Sequence, residues 1–106
     1  MVWYAVRSFY RFDPPDGEGQ GVYEERVVIF DADDVDAVMA MAEQEADEYA
    51  DTVGAESLDC FQSFVLADQP GQGAEVFSLM RNSDLDASAY LDRFFDTGDE
   101  RQDRIE

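Results

Sequence analysis

The chain has no histidine and no lysine, and its 106 residues include a single cysteine. Without His there is no Ser–His or Cys–His pair to raise a nucleophile. Without Lys as well, most of the side chains used for acid–base work near neutral pH are missing. A glycine-rich phosphate loop is also lacking, because Gly17, Gly19 and Gly21 stand among Asp and Glu residues that would repel a phosphate. Cys60 alone cannot close an intramolecular disulfide, so a reducing, cytoplasmic setting is expected. Lying among apolar neighbours, Cys60 is expected to be a small core residue rather than a nucleophile. No apolar run approaches the roughly 20 residues of a membrane span, and no basic-then-apolar start marks the chain for export. No cofactor is expected.

Carboxylates, by contrast, are abundant. There are 26 acidic residues against seven basic ones, all arginine, for a net charge of −19 on a 12.0 kDa chain. The acids are spread along the sequence instead of being gathered in a tail. Disorder does not fit, because 45% of the residues are apolar and the apolar positions are periodic. Self-repulsion of this size destabilises a compact state at low salt, whereas at molar salt the Debye length falls to about 3 Å and the repulsion is screened. Dispersed carboxylates with no Lys resemble the proteins of extreme halophiles, especially salt-in archaea. The expected ionic partners are hydrated salt cations held non-specifically. Nucleic acid is disfavoured, because phosphates are bound by clustered Lys and Arg.

The stretch Asp31–Thr52 reads as one amphipathic helix. Val35, Val38, Met39, Ala42, Ala46 and Tyr49 fall within roughly 100° of arc, the width of a core-facing stripe. Asp33, Asp36, Glu43, Asp47, Glu48 and Asp51 occupy the other side. Asp33 or Asp34 can cap the N-terminus and Gly54 can end the helix. The run Asp31-x-Asp33-Asp34-x-Asp36 suggests a calcium loop, but the sixth and twelfth positions hold Asp36 and Ala42 instead of the Gly and Glu required. No metal site is assigned there.

Two strands precede this helix. Val2–Phe12 and Val22–Phe30 are rich in aromatic and β-branched residues, and the breakers of Asp13–Gly21 separate them. Setting Phe12 opposite Val22 places Phe9 opposite Glu25 and Ser8 opposite Arg26. Val2, Tyr4, Val6, Tyr10, Val28 and Phe30 then share a continuously apolar face, which is expected to pack on the helix. Trp3, Arg7, Arg11, Tyr23, Glu25 and Val27 share the other. A third strand is expected over Glu56–Ala67, with Leu58, Cys60, Gln62, Phe64 and Leu66 on one side. A turn at Asp68–Gly73 leads to a fourth strand at Ala74–Met80. A second helix, roughly Asp84–Phe95, carries a stripe of Ala87, Tyr90, Leu91 and Phe94, and Ser83 with Asp86 forms its capping pair. Residues 1–96 make one α+β domain with a polar tail at Thr97–Glu106. Its order ββαββα predicts a two-layer sandwich: a mainly antiparallel four-stranded sheet with the first helix on one face.

Four stretches in order carry a family likeness: Trp3-Tyr4-Ala5-Val6, Tyr23-Glu24-Glu25-Arg26, Leu58-Asp59-Cys60-Phe61 and Glu75-Val76-Phe77-Ser78. Over Trp3–Ser78 the chain resembles a small single-domain prokaryotic family of unknown function, here in a haloarchaeal-type acidic version. The resemblance implies a compact stand-alone domain and brings no activity, cofactor or catalytic residue with it.

Trp, Tyr and Arg together on a sheet face are the residue types enriched at contact surfaces. Trp3, Arg7, Arg11, Tyr23, Glu25 and Arg26 are therefore the candidates for an interaction surface. The expected function is that of a small soluble non-enzymatic module that binds another protein or forms a homodimer. The alternative is a small-ligand-binding domain or an enzyme using carboxylates. The charge argument has a direct test: circular dichroism should show the domain losing structure in dilute buffer and regaining it in molar KCl, whereas a melting temperature independent of salt would refute it.

Overall fold

The computed structural model describes residues 2–13 and 21–101. Strand β1 (Val2–Phe12) and strand β2 (Val22–Ala32) form an antiparallel pair in which Phe12 stands opposite Val22, Phe9 opposite Glu25 and Ser8 opposite Arg26. The register expected from the sequence is the one that forms. Most of the loop expected at Asp13–Gly21, and the end of the expected tail, lie outside the described residues.

Helix α1 (Val35–Val53) begins two residues after β2 ends. Asp34 is its N-cap, and the Asp34 side chain accepts a hydrogen bond from the Ala37 N–H at 2.8 Å. Gly54 ends the helix at φ 73°, a left-handed conformation that glycine adopts at little cost. Asp31 and Ala32, expected in the helix, finish β2 instead: Asp31 stands opposite Trp3 and Ala32 opposite Val2.

The buried stripe of α1 is Val38, Ala42, Ala46 and Ala50. The sheet supplies bulk and the helix supplies small residues. Tyr4 and Val6 pack with Val38 and Ala42 in one cluster, and Tyr10 sits against Ala46 and Ala50 in a second. Alanines at the contact let α1 lie close to the sheet, and the aromatic rings fill the space between them. The face expected to meet the helix does meet it. Met39 and Tyr49 are partly buried beside these clusters. Val35 is a correction: it is 49% exposed and outside both core clusters.

Strand β3 (Glu56–Val65) pairs antiparallel with β1, so the sheet has the order β2-β1-β3. Its register slips between Ser8 and Tyr10, where the partners jump from Phe61 to Ser57. The extra residues form a bulge with Asp59 at φ 54°, a left-handed conformation uncommon outside glycine, although Asp is among the residues that tolerate it. Two expectations fail in this strand, because its odd-numbered residues face α1 on both sides of the bulge, Ser57 opposite Tyr10 and Phe61 opposite Ser8. Cys60 is exposed and not a core residue. Phe61, not the Cys60 side of the strand, reaches both core clusters.

Among the described residues the sheet has three strands, and the fourth expected at Ala74–Met80 does not form. The segment has no regular secondary structure and joins no ladder. It crosses the sheet face opposite α1, where the Phe77 ring meets Phe64 edge-on at 5.3 Å. Of its residues only Ala74 and Phe77 are partly buried, so the segment touches the face at separate points instead of hydrogen bonding along an edge. Helix α2 (Ala87–Phe94) follows. Its N-cap is Asp86 alone, accepting from the Ala89 N–H at 2.9 Å, while Ser83 accepts from the Leu85 N–H. The element order is thus ββαβα, an α+β fold.

Two residues of the expected helix stripe now separate. Val38→Ala should cost about 2–3 kcal/mol by lost burial and the cavity left behind. Val35→Ala should change stability by no more than about 0.5 kcal/mol. Chemical denaturation in molar KCl measures both, and equal effects would contradict this packing.

Candidate functional site

The six residues singled out from sequence do not form one patch. Arg26 lies on the face covered by α1, where it makes a structural link. Its guanidinium donates to Glu45 Oε1 at 2.7 Å and stacks over the Tyr49 ring, 3.8 Å from the centroid. Tyr49 in turn donates its hydroxyl to Glu24 Oε1 at 2.6 Å and meets Tyr10 edge-on at 5.0 Å. Tyr10 is fully buried, and its hydroxyl shares a hydrogen bond of 2.7 Å with Ser8 Oγ. The network ties β1 and β2 to α1 through polar groups at the edge of the apolar core. The bond to Glu45 raises the Arg26 pKa above its ordinary value. Burial, then the bond to Glu24, pushes the Tyr49 phenol up to about 12. Arg26 standing opposite Ser8 was the sequence signal for this placement, and Tyr49 was expected only as an apolar stripe residue.

On the other sheet face Arg7 and Glu25 form an ion pair. The Arg7 guanidinium also lies 5.1 Å from the Phe9 ring centroid and 5.6 Å from that of Phe77. Its side chain is mostly buried, while that of Glu25 is over half exposed. Arg11 reaches Asp13 at 3.5 Å, with both side chains largely in water, where such a pair contributes little. Tyr23, opposite Arg11, is 65% exposed. Trp3 sits at the far end of β1, half-buried, beside a separate cavity of about 270 Å³ lined also by Val2, Leu66 and Asp68. Of the six residues, the structure brings Arg7 and Glu25 into contact and leaves Tyr23 and Arg11 beside them. Trp3 and Arg26 lie elsewhere.

The sequence reading missed the other wall of this surface. Beyond Arg7, Glu25 and Val27 opens a cleft of about 620 Å³, whose opposite side is built by Phe77, Leu79 and α2. Arg81 spans that side. It donates to the Tyr90 hydroxyl at 3.1 Å and lies 4.3 Å from the Phe94 ring centroid, with no carboxylate partner among the described residues. The signal was available in the stripe of Tyr90, Leu91 and Phe94. What the sequence did not reveal was that α2 stays open to solvent: it buries no residue.

The carboxylates are distributed differently. Among the described residues no three Asp, Glu or Cys side chains converge as metal ligands would, and no helix is long and apolar enough to cross a membrane.

The Tyr49 phenol gives the network a pH signature. Its ordinary pKa is 10.0 and the fold raises it to about 12, so the fold favours the protonated phenol. The associated stability is whole below pH 10.0 and is lost as the pH climbs toward about 12. Unfolding free energy in molar KCl should fall across that window, and Tyr49→Phe should flatten the fall. A slope unchanged by the substitution would remove Tyr49 from the account.

No family model, no curated protein and no solved structure matches the chain.

Proposed function

We propose that the chain is a non-enzymatic protein-interaction module adapted to high salt, and that it meets its partner through the sheet face turned away from α1. The observation that carries this reading is the exposure of large apolar side chains around the Arg7–Glu25 cleft: Val27, Leu79, Leu91, Phe94 and Phe95 are all at least 40% exposed. Contiguous apolar surface rimmed by arginine and tyrosine is the composition of a contact site. A scattering of single exposed apolar residues would need no explanation, but these five line one cleft. The carboxylates that would keep another protein away stand mainly elsewhere, Glu25 alone lining the cleft.

High salt completes the reading. At molar ionic strength the field of 26 carboxylates extends about 3 Å, so approach of a second protein is no longer opposed at long range. The likeness to a small prokaryotic family of stand-alone domains is part of the same proposal and adds no catalytic role.

A photo-reactive phenylalanine analogue at position 95 tests the reading in cells grown under native salt. Irradiation should yield a protein adduct from position 95 and none from the same analogue at Ala40, on the exposed side of α1. If position 95 gives no adduct, or both positions give the same adducts, the interaction reading fails.

A further inference from the structure

Strand β2 lies at one edge of the sheet, and among the described residues the place beside it is open. The peptide groups that face this place can be named. The Leu66 N–H donates to the Trp3 carbonyl at 2.9 Å. The odd-numbered residues of β1 therefore turn their peptide groups to β3, and the even-numbered ones turn theirs to β2. The β1–β2 register pairs even with even, without a break. On β2 the even-numbered residues thus bond to β1, while Tyr23, Glu25, Val27, Ile29 and Asp31 direct their N–H and C=O groups outward. No backbone bond outside the β1 ladder reaches them among the described residues.

Proteins usually blunt such an edge with a proline, a bulge or a covering element. The other edge strand, β3, is bulged around Asp59. β2 has no such device: its 11 residues contain no proline and run in one unbroken register. The two sides of this edge differ in chemistry. Away from α1, Tyr23 is 65% and Val27 40% exposed. Val27 lines the cleft with Glu25, whose charge is already met by Arg7. Toward α1 the border is acidic. Glu24 and Glu45 stand there, accepting from Tyr49 and Arg26, and Glu48 lies on the same flank, roughly 60° around the helix from Glu45.

We propose that an extended segment of a partner protein joins β2 as a fourth strand, its alternate side chains apolar toward the cleft and basic toward Glu24, Glu45 and Glu48. The inference rests on the interaction reading above and names the form and chemistry of the partner. The backbone selects the form. Outward amides and carbonyls recurring at every second residue are satisfied together only by another extended backbone. The side chains select the chemistry. An added strand lies about 4.8 Å from β2, so one of its faces borders Val27 at the cleft and the other borders the acidic flank. A second copy of the chain does not match this edge. Two β2 strands paired antiparallel about a two-fold axis would place both α1 helices on one side of a continuous sheet, with Glu45 and Glu48 of each turned toward those of the other.

The test uses the purified full chain in molar KCl and a synthetic peptide of alternating Arg and Val. In the chain alone, hydrogen–deuterium exchange followed by NMR should be fast at the amides of Glu25, Val27 and Ile29 and slow at those of Arg26 and Val28. The peptide should slow the first three. Methylating one alternate set of peptide nitrogens should weaken binding at least about tenfold, and methylating the other set should not. Val27→Pro should weaken it similarly, because it removes an outward donor and leaves the β1 ladder in place. The exchange of the unaltered protein decides the matter even where the variant does not fold. Three results overturn the added strand: no slowing by the alternating peptide, equal binding of a block peptide with all Arg before all Val, or outward amides already protected in the chain alone, whether by its own residues or by a second copy. If position 95 then crosslinks in cells to another protein, the interaction reading stands without it.

Discussion

A three-stranded sheet has two faces, and one 19-residue helix can cover only one of them. Most of what is distinctive in this molecule follows from that limit. On the covered face, Tyr4, Val6 and Tyr10 interlock with Val38, Ala42, Ala46 and Ala50 to form the core. On the other face the strands still carry Trp3, Ala5, Phe9 and Val27, apolar surface that cannot be left wholly to water without cost. The chain answers with the irregular segment Ala74–Met80 instead of a second layer. Phe77 closes over Phe64, Ala5 is fully buried, and the β2 side of the face stays open. The open part borders the cleft.

Charge is sorted along the same division. Dispersed carboxylates line the solvent side of α1, where they meet water and cations without desolvation. The arginines that structure the fold are placed where a cation can also use an aromatic ring: Arg26 over Tyr49, Arg7 near Phe9 and Phe77, Arg81 over Phe94. A guanidinium suits this position because it is planar and weakly hydrated, which the ammonium of lysine is not. Stacking also acts at short range, so a screening length of about 3 Å leaves it largely intact. The absence of lysine thus has a structural counterpart. At molar salt the cations that still contribute are those in contact with a ring or a carboxylate.

The parts of the fold readable in the sequence were those set by a local physical rule. Asp34 and Gly54 bound α1 because capping is a contact within one turn. Phe12 met Val22 because the breakers of Asp13–Gly21 left few places for the hairpin to close, and that register placed Tyr4, Val6 and Tyr10 on the helix side. What escaped depended on distant contacts or on broken periodicity. Phe61, opposite Ser8, takes the side of β3 that meets α1, so Cys60 falls on the other side, and nothing in Leu-Asp-Cys-Phe says which side that is or requires the bulge at Asp59. Ala74–Met80 has the composition of a strand, but Phe77 meets Phe64 across a sheet face, and composition cannot tell that from a place in a ladder. Arg26 was grouped with Arg7 and Arg11 by residue type, although the register already put it on the opposite face. The α2 wall of the cleft escaped for a related reason: the stripe of Tyr90, Leu91 and Phe94 was visible, but how little of it the fold would cover was not.

On the proposed reading of an interaction module at molar salt, salt and surface together determine what kind of recognition the chain can perform. Long-range steering by complementary charge is unavailable when the field ends within about 3 Å, so a partner cannot be selected by net charge at a distance. Selection has to occur at contact, through shape, apolar area and short ion pairs. The cleft offers those means: aromatic rings at its rim, one paired arginine at its floor and a second arginine held against Tyr90 and Phe94. The acidic remainder of the surface then limits association elsewhere, because any other approach forces carboxylates against one another at short range, where screening is weakest. On this argument the abundance of acid and the exposed apolar cleft are linked, the first restricting contact to the second.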